Sequence, residues 1–452
     1  MKILFCAELY YPSIGGVQEV IRQLAERMVC RGHDVTVATT RLDQRLTEIH
    51  AGVKIKQFAV SGNAASGMHG EVDNYREFLK SDGFDIVLIY AAQQWTFDAA
   101  WDVLSSITAR KVLVPCGYSG LHDAAYAAYF REMPAVLRQF DALVYHATQY
   151  RDFVFGAQHG LDKYFVIPNG ADEKEFSAPR DAGFRARHGI AENDFLILTV
   201  GSLTGKKGHL ELTQAFEMAR FSGQGATLLL NGNPIHGRDT PGSLSRAMRM
   251  IAGHVRTRGW HATAKILLVR VLKHFGIDIS WLGRLHKLMA RINSAAGATR
   301  KKVVLCDLPR TELIQAYLNA NLFVFASNIE YSPLVLFEAC AAGLPFLSAS
   351  VGNAVEIAEW TRGGETVPVE FDQRGFAHVA PAELAKRIEA LAANEERLFG
   401  LAAAGREACL RRYNWHSLCD EYEQLFHNLS TGNMDASSGA AHVGPQIKGV
   451  VS

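Results

Sequence analysis

The sequence predicts an α/β protein of two domains, each a parallel sheet covered by helices, and three observations predict it. Short apolar strands alternate with helix-spaced apolar residues through most of the chain, the pattern of parallel strands joined by helical crossovers. Both halves open alike, since Lys2 to Ala7 runs into a Gly-containing loop and a helix, and so does Phe195 to Val200. Between them Ser177 to Gly189 is polar and contains Pro179, as a linker would. We expect a first domain over 1–180 and a second over 181–410.

Composition allows this and excludes other classes. At 452 residues and 48% hydrophobic there is material for two cores. A net charge of +1 argues against a wholesale nucleic-acid binder. The seven cysteines are scattered, mostly in apolar runs and without a Cys-x-x-Cys pair, and read as reduced core residues of a cytoplasmic protein. The opening MKILFCAELYYPS reads as a first strand, not a secretion signal. No charge-free apolar run approaches the ~20 residues that cross a bilayer.

In the first half, Val17, Val20, Ile21, Leu24 and Met28 recur at helical spacing, Gly32 stops that helix, and Asp34 to Thr39 is the next strand. The loop before the helix carries Gly15 and Gly16, which let a phosphate or a hydroxyl approach the backbone, or simply make a tight turn. Strands follow at Ile86 to Tyr90, Val112 to Pro115 and Ala142 to Tyr145. Residues just past a parallel strand face the crevice. His122 is therefore a candidate contact to a ligand, and a surface histidine is the other reading.

The second half opens on Gly201-Ser-Leu-Thr-Gly205-Lys206-Lys207-Gly208, a flexible cationic loop ahead of a helix. Glycines for close approach, lysine charge and helix amides suit a pyrophosphate. From Ser243 to Lys302 the composition changes: 13 of the 47 basic residues lie there against one of the 46 acidic ones, leaving 34 basic and 45 acidic in the rest. Apolar residues including Leu285, Leu288 and Ile292 are interleaved, partly at helical spacing. This predicts a basic helical insertion, about 240–302, that docks on an anionic membrane surface, with a solvated face of a packed helix as the alternative. The tail over 431–452 lacks a periodic apolar face and is expected to be disordered.

The most informative stretch is Ser327 to Ala342, SNIEYSPLVLFEACAA. Leu322 to Ala326 reads as a buried strand, and Ser332-Pro333 as a helix start, with the hydroxyl as cap and the proline first in the helix. Leu334 and Val335 then offer free amides to an anion, while Glu330 and Glu338 can accept hydrogen bonds from hydroxyls.

Glu330-x7-Glu338 followed by Gly343-Leu344-Pro345 resembles the nucleotide-sugar site of the retaining GT-B glycosyltransferases of family 4, and most of the chain follows that pattern. The resemblance implies two Rossmann-like domains facing a central cleft, with a last helix over 411–430 crossing back to the first domain. It implies that Glu338 holds the nucleotide ribose, that Glu330 holds the donor sugar, and that Gly15, Gly16 and Asn169 line the cleft. Lys207-Gly208 matches the diphosphate loop, but Ser202 stands where the family has an arginine, so Lys206 or the helix dipole must supply the missing charge.

A departing pyrophosphate needs its charge stabilised. The sequence has no Asp-x-Asp pair and no His cluster at ligand spacing, so we expect metal-independent transfer, with no cofactor beyond a nucleotide-diphosphate sugar as donor. The expectation is a hexosyltransferase-type enzyme acting on a glycan or polyprenyl-linked acceptor in envelope polysaccharide or glycolipid synthesis, cytoplasmic and peripheral on the inner membrane face. A nucleotide-sugar epimerase and a non-catalytic nucleotide-sugar binder are the alternatives.

Overall fold

The computed structural model describes residues 1–81, 83–232 and 281–433. The basic segment over 243–280 and the tail from 434 onward lie outside them.

The first sheet has eight strands. They are β1 (Lys2–Cys6), β2 (Asp34–Thr40), β3 (Ile49–His50), β4 (Val53–Phe58), β7 (Ile86–Tyr90), β8 (Arg110–Val114), β9 (Ala142–Tyr145) and β10 (Tyr164–Val166), while β5 (Val60–Asn63) and β6 (Gly67–Gly70) form a separate hairpin. The order is β10-β9-β8-β7-β1-β2-β4-β3, parallel except for the edge pair β3 and β4. Ile86 to Tyr90 is buried throughout, as expected of a parallel strand covered on both faces. On one face lies the helix Gly16–Cys30, which buries Val20, Ile21, Leu24 and Met28.

The second sheet has six parallel strands: β11 (Phe195–Val200), β12 (Ala226–Asn231), β13 (Lys301–Cys306), β14 (Leu322–Phe325), β15 (Phe346–Ala349) and β16 (Gly364–Val367). Their order is β13-β12-β11-β14-β15-β16. Chain order reverses direction between β11 and β14, whose partners are Ile197 with Leu322 and Leu198 with Phe323. That switch point opens a crevice at the strands' carboxyl ends and sets the loop after β11 beside the loop after β14.

The chain passes between the sheets twice. It leaves the first after β10 and returns through Tyr413 and Asn414 into the helix Trp415–Thr431. That helix buries Leu418, Tyr422, Leu425 and Phe426 against β1 and the helix Gly16–Cys30. The crossings meet: the Ala171 amide donates to the Tyr413 carbonyl at 3.0 Å and the Trp415 amide to the Ala171 carbonyl at 3.2 Å.

The described end of the basic insertion follows the alternative of a packed helix. The helix Trp281–Ser294 buries Leu285, Leu288 and Ile292 in the core of its own domain, so those side chains are not a free apolar face. Its exposed face carries Arg284 and Lys287, and Arg291 pairs with Glu217 at 2.6 Å. Among the described residues no helix is long and apolar enough to cross a membrane.

Candidate active site

The loop after β11 is held in place by a glycine. Gly208 adopts φ +66° as the cap of the helix His209–Met218, and a Cβ there would lie 1.7 Å from the Ala326 carbonyl oxygen, so only glycine fits against the end of β14. Two bonds close the contact. The Lys206 carbonyl accepts from the Asn328 amide at 2.9 Å and from the Ser327 hydroxyl at 3.1 Å.

This contact brings Lys207 and Glu330 together. The Lys207 ammonium donates to Glu330 Oε1, which also accepts from the Ser327 hydroxyl at 2.8 Å. The two side chains are 26% and 12% exposed, too enclosed for the near-zero energetics of surface pairs. Next to Lys207, burial first and the lysine charge second push the His209 imidazole down to about 4, so at neutral pH it adds no positive charge.

Glu338 sits in the second turn of the helix Leu334–Ala341 with both oxygens engaged. Tyr317 donates to Oε2 at 2.9 Å and Arg310 to Oε1 at 2.7 Å. Arg310 also pairs with Glu175 at 2.5 Å, and its guanidinium lies 5.5 Å from the Phe176 ring centre. These partners fix the Glu338 carboxylate and leave lone pairs for a further donor.

Other predicted residues are placed as follows. The helix starts one residue later than expected: Pro333 is the cap, Leu334 is first, and the Ser332 hydroxyl makes no capping bond. The amides of Leu334 and Val335 lie in the first turn, beyond reach of any helical carbonyl. Asn169 donates through Nδ2 to the Ser332 carbonyl at 3.1 Å, which ties the first domain to this helix start. The Asn169 Oδ1 and Ser332 Oγ atoms are buried without a hydrogen-bond partner. Gly15 and Gly16 begin the helix after β1. Gly205, at φ +75°, packs against Trp281, where a Cβ would come within 2.8 Å of the indole. Lys206 does not join Lys207: it is exposed, with its ammonium 5.2 Å from the centre of the Phe376 ring. Ser202 is half-buried in the same loop. His122 is exposed, with no hydrogen bond or ion pair among the described residues, and does not join the cluster.

Glu356, Thr148 and His146, which sequence reasoning missed, hold the seam between the domains together with Asn353. Glu356 accepts from the Thr148 amide at 2.7 Å and its hydroxyl at 2.6 Å, and burial raises the Glu356 pKa. Asn353 donates to the His146 carbonyl at 2.9 Å. His146 is fully buried between Tyr90 and the Ile167 carbonyl, and burial pushes its imidazole down to about 4. One signal was available for another missed residue. A cation at the first position of a helix, Arg310, runs against the helix dipole and so implies an acidic partner.

Two Rossmann-like sheets, with the switch-point loops of the second bringing a lysine and a carboxylate together next to the seam, define the class, a GT-B sugar-transferring enzyme. Residues 14–175 match the model of Glycosyltransferase Family 4 and residues 287–407 that of Glycosyl transferases group 1. The chain belongs to this family of glycosyltransferases. It is 22% identical over 445 residues to the GDP-mannose:cellobiosyl-diphosphopolyprenol alpha-mannosyltransferase of Xanthomonas oryzae pv. oryzae, covering 95% of this chain and 97% of that protein. Alpha-maltose-1-phosphate synthase of Mycolicibacterium smegmatis is 23% identical over 295 residues, 64% of each chain, so the match spans less than two thirds of that relative. Among solved structures, Anabaena HepE in complex with UDP-glucose superposes with a TM-score of 0.65 at 16% identity, covering 95% of this chain and all of that one.

Proposed function

We propose that the chain is a retaining, metal-independent glycosyltransferase that moves a sugar from a nucleotide-diphosphate sugar to a lipid-linked or glycan acceptor in cell-envelope synthesis. The observation that carries this reading is the meeting of Lys207, Glu330 and Ser327 at the amino end of the helix Leu334–Ala341. In the reaction the bond from the sugar's anomeric carbon to the diphosphate oxygen breaks, and one to the acceptor oxygen forms on the same face. The acceptor proton passes to the leaving phosphate. Lys207 and the Leu334 and Val335 amides stabilise the departing charge, Glu330 accepts from the sugar's hydroxyls, and Glu338, set by Arg310 and Tyr317, accepts from the ribose. The unpartnered Asn169 and Ser332 oxygens fit a polar ligand, because orphaned buried acceptors cost about 1–3 kcal/mol each. The UDP-glucose named for HepE supports a nucleotide-sugar donor.

A lipid-linked acceptor is supported by a second feature. Four of the nine exposed large apolar residues among those described lie on two segments that touch, Tyr11 and Ile14 just ahead of Gly15, and Leu46 and Ile49 next in sequence to Arg45 and His50. Arg45 binds the Tyr10 and Tyr11 carbonyls, and His50 stacks on Tyr11 at 3.6 Å, so the two segments present one apolar rim. The polyprenol-linked substrate named for the Xanthomonas relative agrees with such a rim. Peripheral attachment to the inner membrane face is part of the proposal, through the segment over 243–280 together with Arg284 and Lys287.

Labelled UDP-, GDP- and ADP-sugars incubated with a membrane extract and EDTA test the reading. Label in a solvent-extractable lipid is expected, and loss of transfer in EDTA overturns metal independence. Isomerised donor identifies an epimerase, and bound but unchanged donor a binding protein. Glu330→Ala should cost several kcal/mol of transition-state stabilisation. Wild-type turnover in that variant overturns the site.

A further inference from the structure

Glu330 and its neighbour Tyr331 point to opposite domains. While Glu330 meets Lys207 within the second, Tyr331 is inserted into the first. Its hydroxyl accepts from the His146 amide at 3.0 Å and is hydrogen-bonded to the Asp152 carboxylate. Its ring lies against those of Tyr150 and His146, with centroids 5.2 and 5.6 Å apart. Asp152 is fully buried and accepts from the Gly117 amide at 3.0 Å.

Gly117 lies in an unusual turn. Cys116, Gly117 and Tyr118 follow β8 with φ of +61°, +96° and +47°, three consecutive left-handed residues of which two carry side chains. Such backbone persists only where its surroundings hold it, and it clusters at binding sites. Here the holders are Asp152, through the Gly117 amide, and Tyr331 itself, since a Cβ on Gly117 would stand 3.0 Å from the Tyr331 ring. On its other side Tyr331 is fixed by its own carbonyl, which accepts from the Asn353 amide at 2.8 Å.

We propose that Tyr331 is a positioning residue that makes the place of Glu330 depend on the Cys116–Tyr118 turn of the first domain. The proposal rests on Glu330 orienting the donor sugar, as read above. A ligand seated on the first domain at the end of β8 acts on the turn, the turn bears on the Tyr331 ring and on Asp152, and the adjoining residue carries Glu330 into register. Transfer is thereby tied to an occupied and closed first domain, whereas the nucleotide-diphosphate part of the donor, read onto Lys207, Glu338 and the Leu334 and Val335 amides, binds without that register and carries most of the donor affinity.

The test compares Tyr331→Phe, Tyr331→Ala and Glu330→Gln in the full chain. Measured are kcat and KM for transfer, the Kd for the nucleotide-sugar donor found active, and the thermal midpoint. Tyr331→Phe keeps the ring and removes one oxygen. It should lower kcat at least tenfold, because the bond to the charged Asp152 is lost together with the one from the His146 amide, with donor Kd within twofold of wild type. Tyr331→Ala should lower kcat further at a similar donor Kd. Wild-type kcat in both Tyr331 variants, or donor affinity falling in step with kcat, overturns the proposal by making Tyr331 packing only. Glu330→Gln separates the two levels. If it is inactive while both Tyr331 variants are fully active, only this inference fails, and if it turns over normally, the site assignment fails with it.

Discussion

Gly208→Ala is the substitution whose consequence follows most directly from geometry. At φ +66° an alanine costs about 1–2 kcal/mol relative to glycine. The larger effect is steric. The new Cβ would stand 1.7 Å from the Ala326 carbonyl oxygen, whereas side-chain carbons do not approach closer than 3.0 Å, so loop and strand end must separate by about 1.3 Å. That separation acts on the Lys206 carbonyl, which holds Ser327 and Asn328, and through them on the contact of Lys207 with Glu330. A shift of about 1 Å at reacting groups can cost on the order of 100-fold in rate. We expect kcat to fall about 100-fold, donor Kd to rise, and the melting transition of the second domain to move down by several degrees. Scanning calorimetry with steady-state transfer assays measures both. A Gly208→Ala protein with wild-type rate and unchanged melting would refute the claim that this glycine sets the lysine loop.

Other outcomes follow from the same geometry. Lys207→Met leaves a mostly enclosed Glu330 without its cation and should cut kcat/KM at least 100-fold, about 2.7 kcal/mol of transition-state stabilisation, measured with saturating acceptor. Tyr317→Phe removes the donor to Glu338 Oε2, so thermal or denaturant melts should report a loss of about 1–2 kcal/mol and titration a several-fold weaker donor. Burial pushes the Asp152 carboxyl up to about 6 from an ordinary 3.8. The folded state therefore binds its proton more tightly, and this group's contribution to stability declines as pH rises from about 4 to about 6 and stays constant above. Asp152→Asn should flatten that part of the melting-temperature profile, and an unchanged profile would mean that Asp152 does not titrate there.

The two sheets were legible because buried parallel strands are unbroken apolar runs, as in Ile86–Tyr90 and Leu322–Phe325. The hairpin of β5 and β6, with only Val60 and Met68 apolar among Ser, Gly, Asn and His residues, has no apolar alternation to betray it. Lys207, Glu330 and Glu338 could be named from loop chemistry and family likeness. Their partners could not, because strand order is not written in chain order: Arg310 and Tyr317 reach Glu338 across 28 and 21 positions. His122 lies past a strand end, β8, yet is exposed. Past the next strand, β9, His146 is the histidine at the seam.

The paired crossings at Ala171 and Asn414 bear on how such an enzyme moves. Two covalent passages set far apart would weld the halves, and a single one would let them wander. Here both run side by side and are laced by their own amides, like two pins of a door hinge on one line. Opening to admit or release substrates is thereby confined to a swing about that line, and each return brings the same faces together.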